Sequence, residues 1–239
     1  MQNPIPSFCI VLPVYNEAAC IESCVRNIAN HLKGIQARTG IITVDDGSAD
    51  GSLDILRRLE KEVDGLNVRV HERNGGYGAA NRTGCKAALE LGFDYALVMD
   101  ADGTQAVEFI DRFIEPMSRG VDFIKATRYA KGGRVEGVHW KRVLVSRVGN
   151  KLAQWLMRVP LTDFTNGFRA IRTPVWAKLE TTERNFAVLI EEVYLARRLR
   201  LSFAEVPYVL TARQDDESQS KFTYSLAVYK RYAQYLLKR

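Results

Sequence analysis

Two aspartates separated by one residue, Asp100 and Asp102, close the apolar run Tyr95-Ala96-Leu97-Val98-Met99. Side chains alternate along an extended chain, so both carboxylates point to one side with Ala101 between them. Two carboxylates in a polar cleft suit a hard divalent cation; Mg²⁺ takes one or two of them together with phosphate oxygens and water. The pair alone is a weak sign, because surface turns often carry it. Its position at the end of an apolar strand makes it a candidate metal and diphosphate site, with Thr104 or Gln105 as a further oxygen donor. A second doublet, Asp45-Asp46 before Gly47-Ser48, also closes an apolar run. A carboxylate there suits a base N–H or a ribose hydroxyl, and Ser48 or Asp50 suits a helix cap. Asn74-Gly75-Gly76-Tyr77-Gly78 reads equally as a turn or as a close approach to an anion at a helix N-terminus. It lacks the dinucleotide spacing, since Asn81 stands where the last glycine belongs.

The elements that must position these groups alternate. Strands are predicted over Phe8–Val14, Gly40–Val44, Asn67–His71 and Tyr95–Met99, with helices over Ala18–Leu32, Ser52–Val63 and Gly78–Leu91. That alternation specifies a mainly parallel sheet covered on both faces. In such sheets ligands bind beyond the carboxyl ends of the strands, where Tyr15-Asn16-Glu17, Asp45-Asp46 and Asp100-Ala101-Asp102 all fall. The second half reads less regularly. A strand is expected over Phe123–Thr127, a mobile segment over Lys131–Gly137, a helix over Trp140–Arg158 with Trp140, Leu144, Val148, Leu152 and Trp155 on one stripe, a helix over Glu183–Leu199, a strand over Ser202–Pro207 and a Tyr-rich basic helix over Tyr224–Arg239.

The chain of 239 residues, 46% hydrophobic and 26% charged, is long enough for one large domain. We expect a single domain over 1–239, in two halves, 1–105 and 106–239. Net charge is +6, but between Arg119 and Arg158 ten Lys and Arg stand against only Asp122 and Glu136. Such a patch suits a phosphate-bearing or membrane-surface partner. The four cysteines form no framework and are expected as thiols. His31, His71 and His139 have no ligand-like neighbours. There is no apolar run of membrane-spanning length and no leader pattern at the N-terminus, so a cytoplasmic, peripheral location is expected.

Four motifs in order, Pro13-Val14-Tyr15-Asn16-Glu17, Val44-Asp45-Asp46-Gly47-Ser48-Ala49-Asp50-Gly51-Ser52, Asn74 through Gly84, and Asp100-Ala101-Asp102, resemble an inverting family 2 glycosyltransferase of GT-A fold. The resemblance implies an α/β GT-A fold with 1–105 as the nucleotide-sugar half and 106–239 as the acceptor half, a nucleotide held by Pro13, Tyr15, Glu17 and Asp45 or Asp46, and Mg²⁺ or Mn²⁺ with the diphosphate on Asp100, Ala101 and Asp102; the third ligand, Gln105 or Thr104, is read from the residues themselves. Thr127-Arg128-Tyr129, the Trp140–Asn150 helix, Asp163-Phe164-Thr165-Asn166-Gly167-Phe168-Arg169, and Arg213 with Ser220-Lys221 resemble the dolichyl- or polyprenyl-phosphate mannose synthase branch. That branch implies a GDP- or UDP-linked sugar donor, a polyprenyl-phosphate acceptor held by Arg128, Arg142 and Ser146, and Arg213 and Lys221 over the diphosphate, at the inner face of the membrane.

The residues agree with a phosphate acceptor. Arg142 and Ser146 are i, i+4 on one helix face, away from the apolar stripe, and an Arg fork suits phosphate. A phosphate needs little deprotonation near neutral pH, whereas a hydroxyl needs a base. The chain departs from the branch at Gly103-Thr104-Gln105, in the acidic 213–221 loop, and at Glu191-Glu192, where other family 2 enzymes place a catalytic acid. Glu191 is therefore a base for a hydroxyl acceptor or a support for arginines. The rivals are a family 2 enzyme acting on a saccharide or polyol hydroxyl, a sugar nucleotidyltransferase, which wants a GxGxR-type loop after the first strand, and a non-catalytic nucleotide-sugar binder. No nucleic-acid partner is expected, while a membrane surface or membrane-protein partner is. The C-terminal helix, with Tyr224, Tyr229, Tyr232 and Tyr235, is expected to rest on anionic headgroups.

Overall fold

A computed structural model describes residues 4–211 and 226–238, with side chains of the last helix described from Lys230 onward. The first half runs β1 (Phe8–Val14), α1 (Ile21–Leu32), β2 (Thr39–Asp45), α2 (Ser52–Glu62), β3 (Leu66–Val70), α3 (Tyr77–Glu90) and β4 (Tyr95–Val98). The second adds α4 (Asp111–Ser118), β5 (Phe123–Thr127), β6 (Arg134–Val135), α5 (Trp140–Met157), β7 (Arg169–Arg172), α6 (Thr173–Trp176), α7 (Val188–Arg198), β8 (Phe203–Pro207), β9 (Val209–Leu210) and α8 (Leu226–Leu237).

The main sheet has seven strands in the order β3-β2-β1-β4-β7-β5-β8. All pairs are parallel except those of β7 with β4 and β5. Strand β7, which the apolar pattern does not announce, thus joins the two halves in one sheet. Its partners bury it on both sides, so Arg169 can sit in a strand without reaching water. Apolar residues of α1 at Ile21, Val25, Ile28 and Leu32 close one face of the sheet, as their helical spacing requires. On the other face α3 packs very closely: a Cβ at Gly84 would stand 2.3 Å from Val11 Cγ1, so only glycine fits there.

Several expectations change. Helix α1 begins at Ile21 rather than Ala18, because Glu17–Cys20 form a turn. Helix α7 begins at Val188 rather than Glu183. The preceding chain crosses α3 instead, where Gly78 N and Arg82 Nη1 donate to the carbonyls of Arg184 and Glu183 at 2.6 Å each. The 131–137 segment is not wholly irregular, since β6 pairs in parallel with β9. On α5 the stripe does not enter the core. Asn150, Ala153 and Met157 pack inward, whereas Trp140, Leu144, Val148, Leu152 and Trp155 are exposed. On α8 the reverse holds. Tyr235 is buried and Tyr232 donates its hydroxyl to Phe186 O, so these two rings anchor the helix to the protein and are not offered to headgroups. Tyr224 lies outside the described residues, as does the side chain of Tyr229.

Lys125 on β5 is fully buried and donates Nζ to Asn166 O at 2.6 Å. Burial, then the nearby Arg169, pulls its ammonium down to about 7 from the ordinary 10.5. Above that folded value the unfolded chain holds more protons than the folded one. Stability therefore rises with pH through this window, and the cost of burying the charge is fully present only below it. Lys125→Met is expected to flatten the slope of unfolding free energy between about pH 7 and 8.5, read by urea titration at each pH. An unchanged slope would mean that Lys125 stays charged or stays neutral throughout.

Candidate active site

A cleft of about 920 Å³ opens at the carboxyl ends of β1, β2 and β4, and extends under α5 and α8. Pro13, Tyr15, Glu17, Asp46, Asp100, Ala101, Asp102 and Gln105 line one side, and Arg128, Arg142 and Ser146 the other. Every one of these was expected at the site from sequence, and the fold brings them together. Asp45 and Glu191 do not line the cleft, and Arg213 and Lys221 lie outside the described residues.

The loop after β1 is tied to the loop after β2. Ser48 Oγ accepts from Asn16 N at 3.0 Å, Ser52 Oγ from Glu17 N at 2.9 Å, and Asp50 Oδ2 from Ala18 N at 2.9 Å. Ser48 and Ser52 therefore do more than shape α2, because they set the wall that carries Tyr15 and Glu17. The two aspartates of the doublet separate. Asp46 accepts from Gly75 N and Gly76 N at 2.8 Å each, and its Oδ1 lies 2.6 Å from His71 Nδ1. It clamps the glycine loop while reaching the cleft wall. Asp45 turns inward, 1% exposed, with Oδ2 accepting from Ser48 N and Oδ1 buried without a partner. Asp46 lines the cleft and Asp45 does not, which narrows the expectation to Asp46. His71, between Asp46 and Thr83, belongs to the clamp.

Asp100 is held on both oxygens. Gln105 Nε2 donates to Oδ2 at 2.8 Å and Tyr77 Oη to Oδ1 at 3.3 Å, while Gln105 Oε1 accepts Asp100 N at 3.0 Å. Gln105 thus braces Asp100 through both ends of its amide. Burial, with the charge of Asp100, pushes the Tyr77 hydroxyl well above its ordinary range and keeps it a donor. Tyr77 also stacks on Phe186, ring centroids 4.7 Å apart. Asp102 Oδ1 accepts from Thr104 N and Thr104 Oγ1, closing a tight turn. Among the described residues no group of three or more His, Cys, Asp or Glu gathers as a metal site. Two carboxylates still fit a hard cation that takes its other oxygens from a diphosphate and water.

The loop before β7 supports this pair. A Cβ at Gly167 would stand 2.5 Å from Tyr77 Oη and 3.0 Å from Asp100 Oδ1. Gly167→Ala is expected to cost about 1–3 kcal/mol of stability through overpacking. It should also lower transfer at least about ten-fold, as Tyr77 and Asp100 are displaced. Thermal unfolding and initial rates check this; a variant with wild-type rates would show that Asp100 tolerates the shift.

On the other side Arg128 makes a bidentate pair with Asp163 at 2.7 and 2.8 Å and donates to Thr165 Oγ1. Burial alone would raise the Asp163 carboxyl; Arg128 outweighs it and holds the group below the usual range. Ser146 Oγ accepts from Tyr129 Oη at 2.6 Å, and Asn150 ties α5 to the 163–167 loop through Phe164 N. Tyr77, Tyr129, Asn150 and Gly167 escaped the sequence reading as site residues. Their local signal was membership of the motifs Gly76-Tyr77-Gly78, Thr127-Arg128-Tyr129, Trp140–Asn150 and Asn166-Gly167, which gave them no role of their own.

Neither glutamate of the doublet is available as a base. Glu192 is locked to Arg169 at 2.5 and 2.6 Å with both side chains buried. Glu191 accepts from Thr182 N, Thr182 Oγ1, Glu183 N and Tyr235 Oη. The catalytic reading of Glu191 is corrected accordingly: its carboxylate knits α7 to the preceding loop and to α8.

The sequence profile described as glycosyl transferase family 2 matches residues 9–179. The chain belongs to this family. This family 2 glycosyltransferase is 28% identical over 216 residues to polyprenol monophosphomannose synthase of Mycolicibacterium smegmatis, covering 89% of this chain and 80% of that one. It is 30% identical over 218 residues to UDP-N-acetylglucosamine--dolichyl-phosphate N-acetylglucosaminyltransferase of Methanococcus voltae, covering 83% of each. Its fold matches a mannosyltransferase of Pyrobaculum calidifontis solved with GDP-Man and Mn²⁺, at TM-score 0.63 and 15% identity, over 90% of this chain but 59% of that one. The fold of the glycosyltransferase is therefore GT-A, and the expected α/β class holds. Among its described residues no helix is long and apolar enough to cross a membrane.

Proposed function

We propose that this glycosyltransferase moves a hexose, with inversion, from a nucleoside diphosphate sugar to the phosphate of a polyprenyl-phosphate lipid. The observation that carries this reading is the division of charge in one cleft. Its lining carboxylates, Glu17, Asp46, Asp100 and Asp102, all stand on the strand-end side, while Arg128, Arg142 and Ser146 face them from the other. The first side suits a nucleotide, a divalent cation and a diphosphate. The second suits an anion and carries no carboxylate among its described lining residues. A hydroxyl acceptor needs a base there, and a phosphate, already ionised, does not.

Asp100 and Asp102 would hold Mg²⁺ or Mn²⁺, which offsets charge building on the diphosphate leaving group. Pro13, Tyr15, Glu17 and Asp46 would hold the nucleotide, with Arg213 and Lys221 over the diphosphate. Arg128 and Arg142 would hold the acceptor phosphate, and Ser146, oriented by Tyr129, would donate to it. The M. smegmatis relative is named for a polyprenol monophosphate product and the M. voltae relative for a dolichyl-phosphate acceptor, which supports the acceptor class. The donor base is open between those names and structures, so both GDP- and UDP-sugars belong in the test. Purified protein is incubated with each labelled donor, Mg²⁺ or Mn²⁺, and either a polyprenyl phosphate, the matching polyprenol, or a simple saccharide. Label is expected on the phosphate lipid alone. Transfer to the saccharide, with none to the phosphate lipid, would overturn the reading in favour of a hydroxyl-acceptor enzyme.

A further inference from the structure

We infer that His71 makes the site selective for a uracil nucleotide over a guanine nucleotide, by filling an acceptor position that guanine would need on Asp46. This deepens the proposed nucleotide site and rests on it, but not on the proposed acceptor.

Asp46 is placed for the base. Its N–H donates to Val14 O, which sets it beside Pro13 and Tyr15, and all three line the cleft together with Asn74. Of the other lining carboxylates, Asp100 and Asp102 follow β4, and Glu17 is turned toward them: Cys20 Sγ lies 3.4 Å from both Glu17 Oε2 and Ala101 O. Asp46 is therefore the lining carboxylate left for a nucleobase.

An ionised carboxylate only accepts, with about two positions on each oxygen. On Oδ1 both are taken, by Gly75 N at 2.8 Å and His71 Nδ1 at 2.6 Å. On Oδ2 one is taken, by Gly76 N at 2.8 Å. Because Asp46 accepts, Nδ1 of His71 carries a proton whatever the state of Nε2, which lies 2.8 Å from Thr83 Oγ1 on α3. Held at both nitrogens, the ring cannot swing away from Oδ1. The glycine loop is equally fixed, since a Cβ at Gly76 would stand 2.4 Å from Asn185 Oδ1 and 2.5 Å from Arg184 O. The clamp is set before a base arrives, and one acceptor position, on Oδ2, remains open.

Uracil presents a single donor, N3–H, between two carbonyls, and one position satisfies it. Guanine presents N1–H and N2–H side by side, which pair with both oxygens of one carboxylate. Here the second guanine donor would meet an Oδ1 already filled by His71 and Gly75. Leaving that donor unpaired lowers affinity by about ten-fold or more.

The test is calorimetric titration of the whole chain with UDP and with GDP, in Mn²⁺ and without acceptor. UDP is expected to bind at least about ten-fold tighter. His71→Phe removes the donor and frees a position on Oδ1, and should bring the two affinities within about three-fold through a gain in GDP binding. His71→Asn, whose Nδ2 can stand in for Nδ1, should keep the preference. Thermal unfolding checks that both variants fold. A purely structural role for His71 would weaken both nucleotides alike and leave their ratio unchanged, which would overturn the inference. So would wild-type protein that binds GDP as tightly as UDP, a result that needs no variant and leaves the nucleotide site standing. Binding of neither nucleotide would overturn the inference and the nucleotide site together. Transfer from a UDP-sugar to a saccharide but not to the phosphate lipid would sink the proposed acceptor and sustain the role of His71.

Discussion

Asp102→Ala is expected to fold as the wild type does and to lose at least about 10²-fold in transfer rate. The side chain is only partly buried, and the bonds it makes to Thr104 close a short turn in the loop after β4. Removing a turn of this kind costs on the order of 1 kcal/mol. The loss of function has a different origin, because one of two carboxylates aimed into the cleft disappears. Calorimetric titration of Mn²⁺ in the presence of GDP or UDP separates the two effects from activity itself. Wild-type protein should show metal-dependent binding of a nucleoside diphosphate and Asp102→Ala should not. Full transfer by the variant would remove the metal assignment. Asp100→Asn makes a useful contrast. Its bracing by Gln105 and Tyr77 means that part of its loss comes from rearranged supports, so thermal unfolding should change as well as rate.

Glu192→Ala should have the largest effect on stability, about 3–5 kcal/mol in urea unfolding. Arg169 is fully buried on a central strand, and its guanidinium is satisfied by Glu192 and by Gly167 O at 2.7 Å. Deleting the carboxylate strands that charge in the core. Burial lowers the Arg169 guanidinium and Glu192 more than compensates; the variant loses that compensation, but an arginine starts so high that it stays charged and cannot escape by deprotonation. Gly167, the carbonyl on which Arg169 pulls, touches Tyr77 and Asp100, which links this pair to the site. Glu192→Gln keeps the shape and part of the hydrogen bonding and should lose less. If Glu192 were instead a base, the glutamine variant would keep its stability and lose its turnover, which is the opposite pattern.

The expected elements and the observed ones agree best where a segment's own pattern decides its packing. Strands β1, β2 and β4 are short apolar runs buried on both faces, and no other environment suits them. The acidic residues that follow them then fall at one edge of the sheet by topology, so Asp46, Asp100 and Asp102 were legible in the chain. On α5 the same kind of reading found the helix and misplaced its face. Periodicity reports that one side is apolar, not what covers it, and here Asn150 and Ala153 meet the core while the tryptophans do not. Strand β7 was invisible because Arg169 breaks the apolar pattern, and it is the distant Glu192 that neutralises the buried arginine.

Sequence by itself determined the order of the elements, the strand ends at which chemistry can gather, and the residue types that suit a nucleotide, a divalent cation and a phosphate. These follow from local pattern and side-chain chemistry. Tertiary structure alone decided which of two adjacent carboxylates does what. Asp46 reaches the cleft and Asp45 does not, Gln105 braces Asp100, and Glu191 and Glu192 are consumed by partners from other elements. The reason is physical: a carboxylate's role is set by the donors and charges around it, and those come from residues far away in the chain.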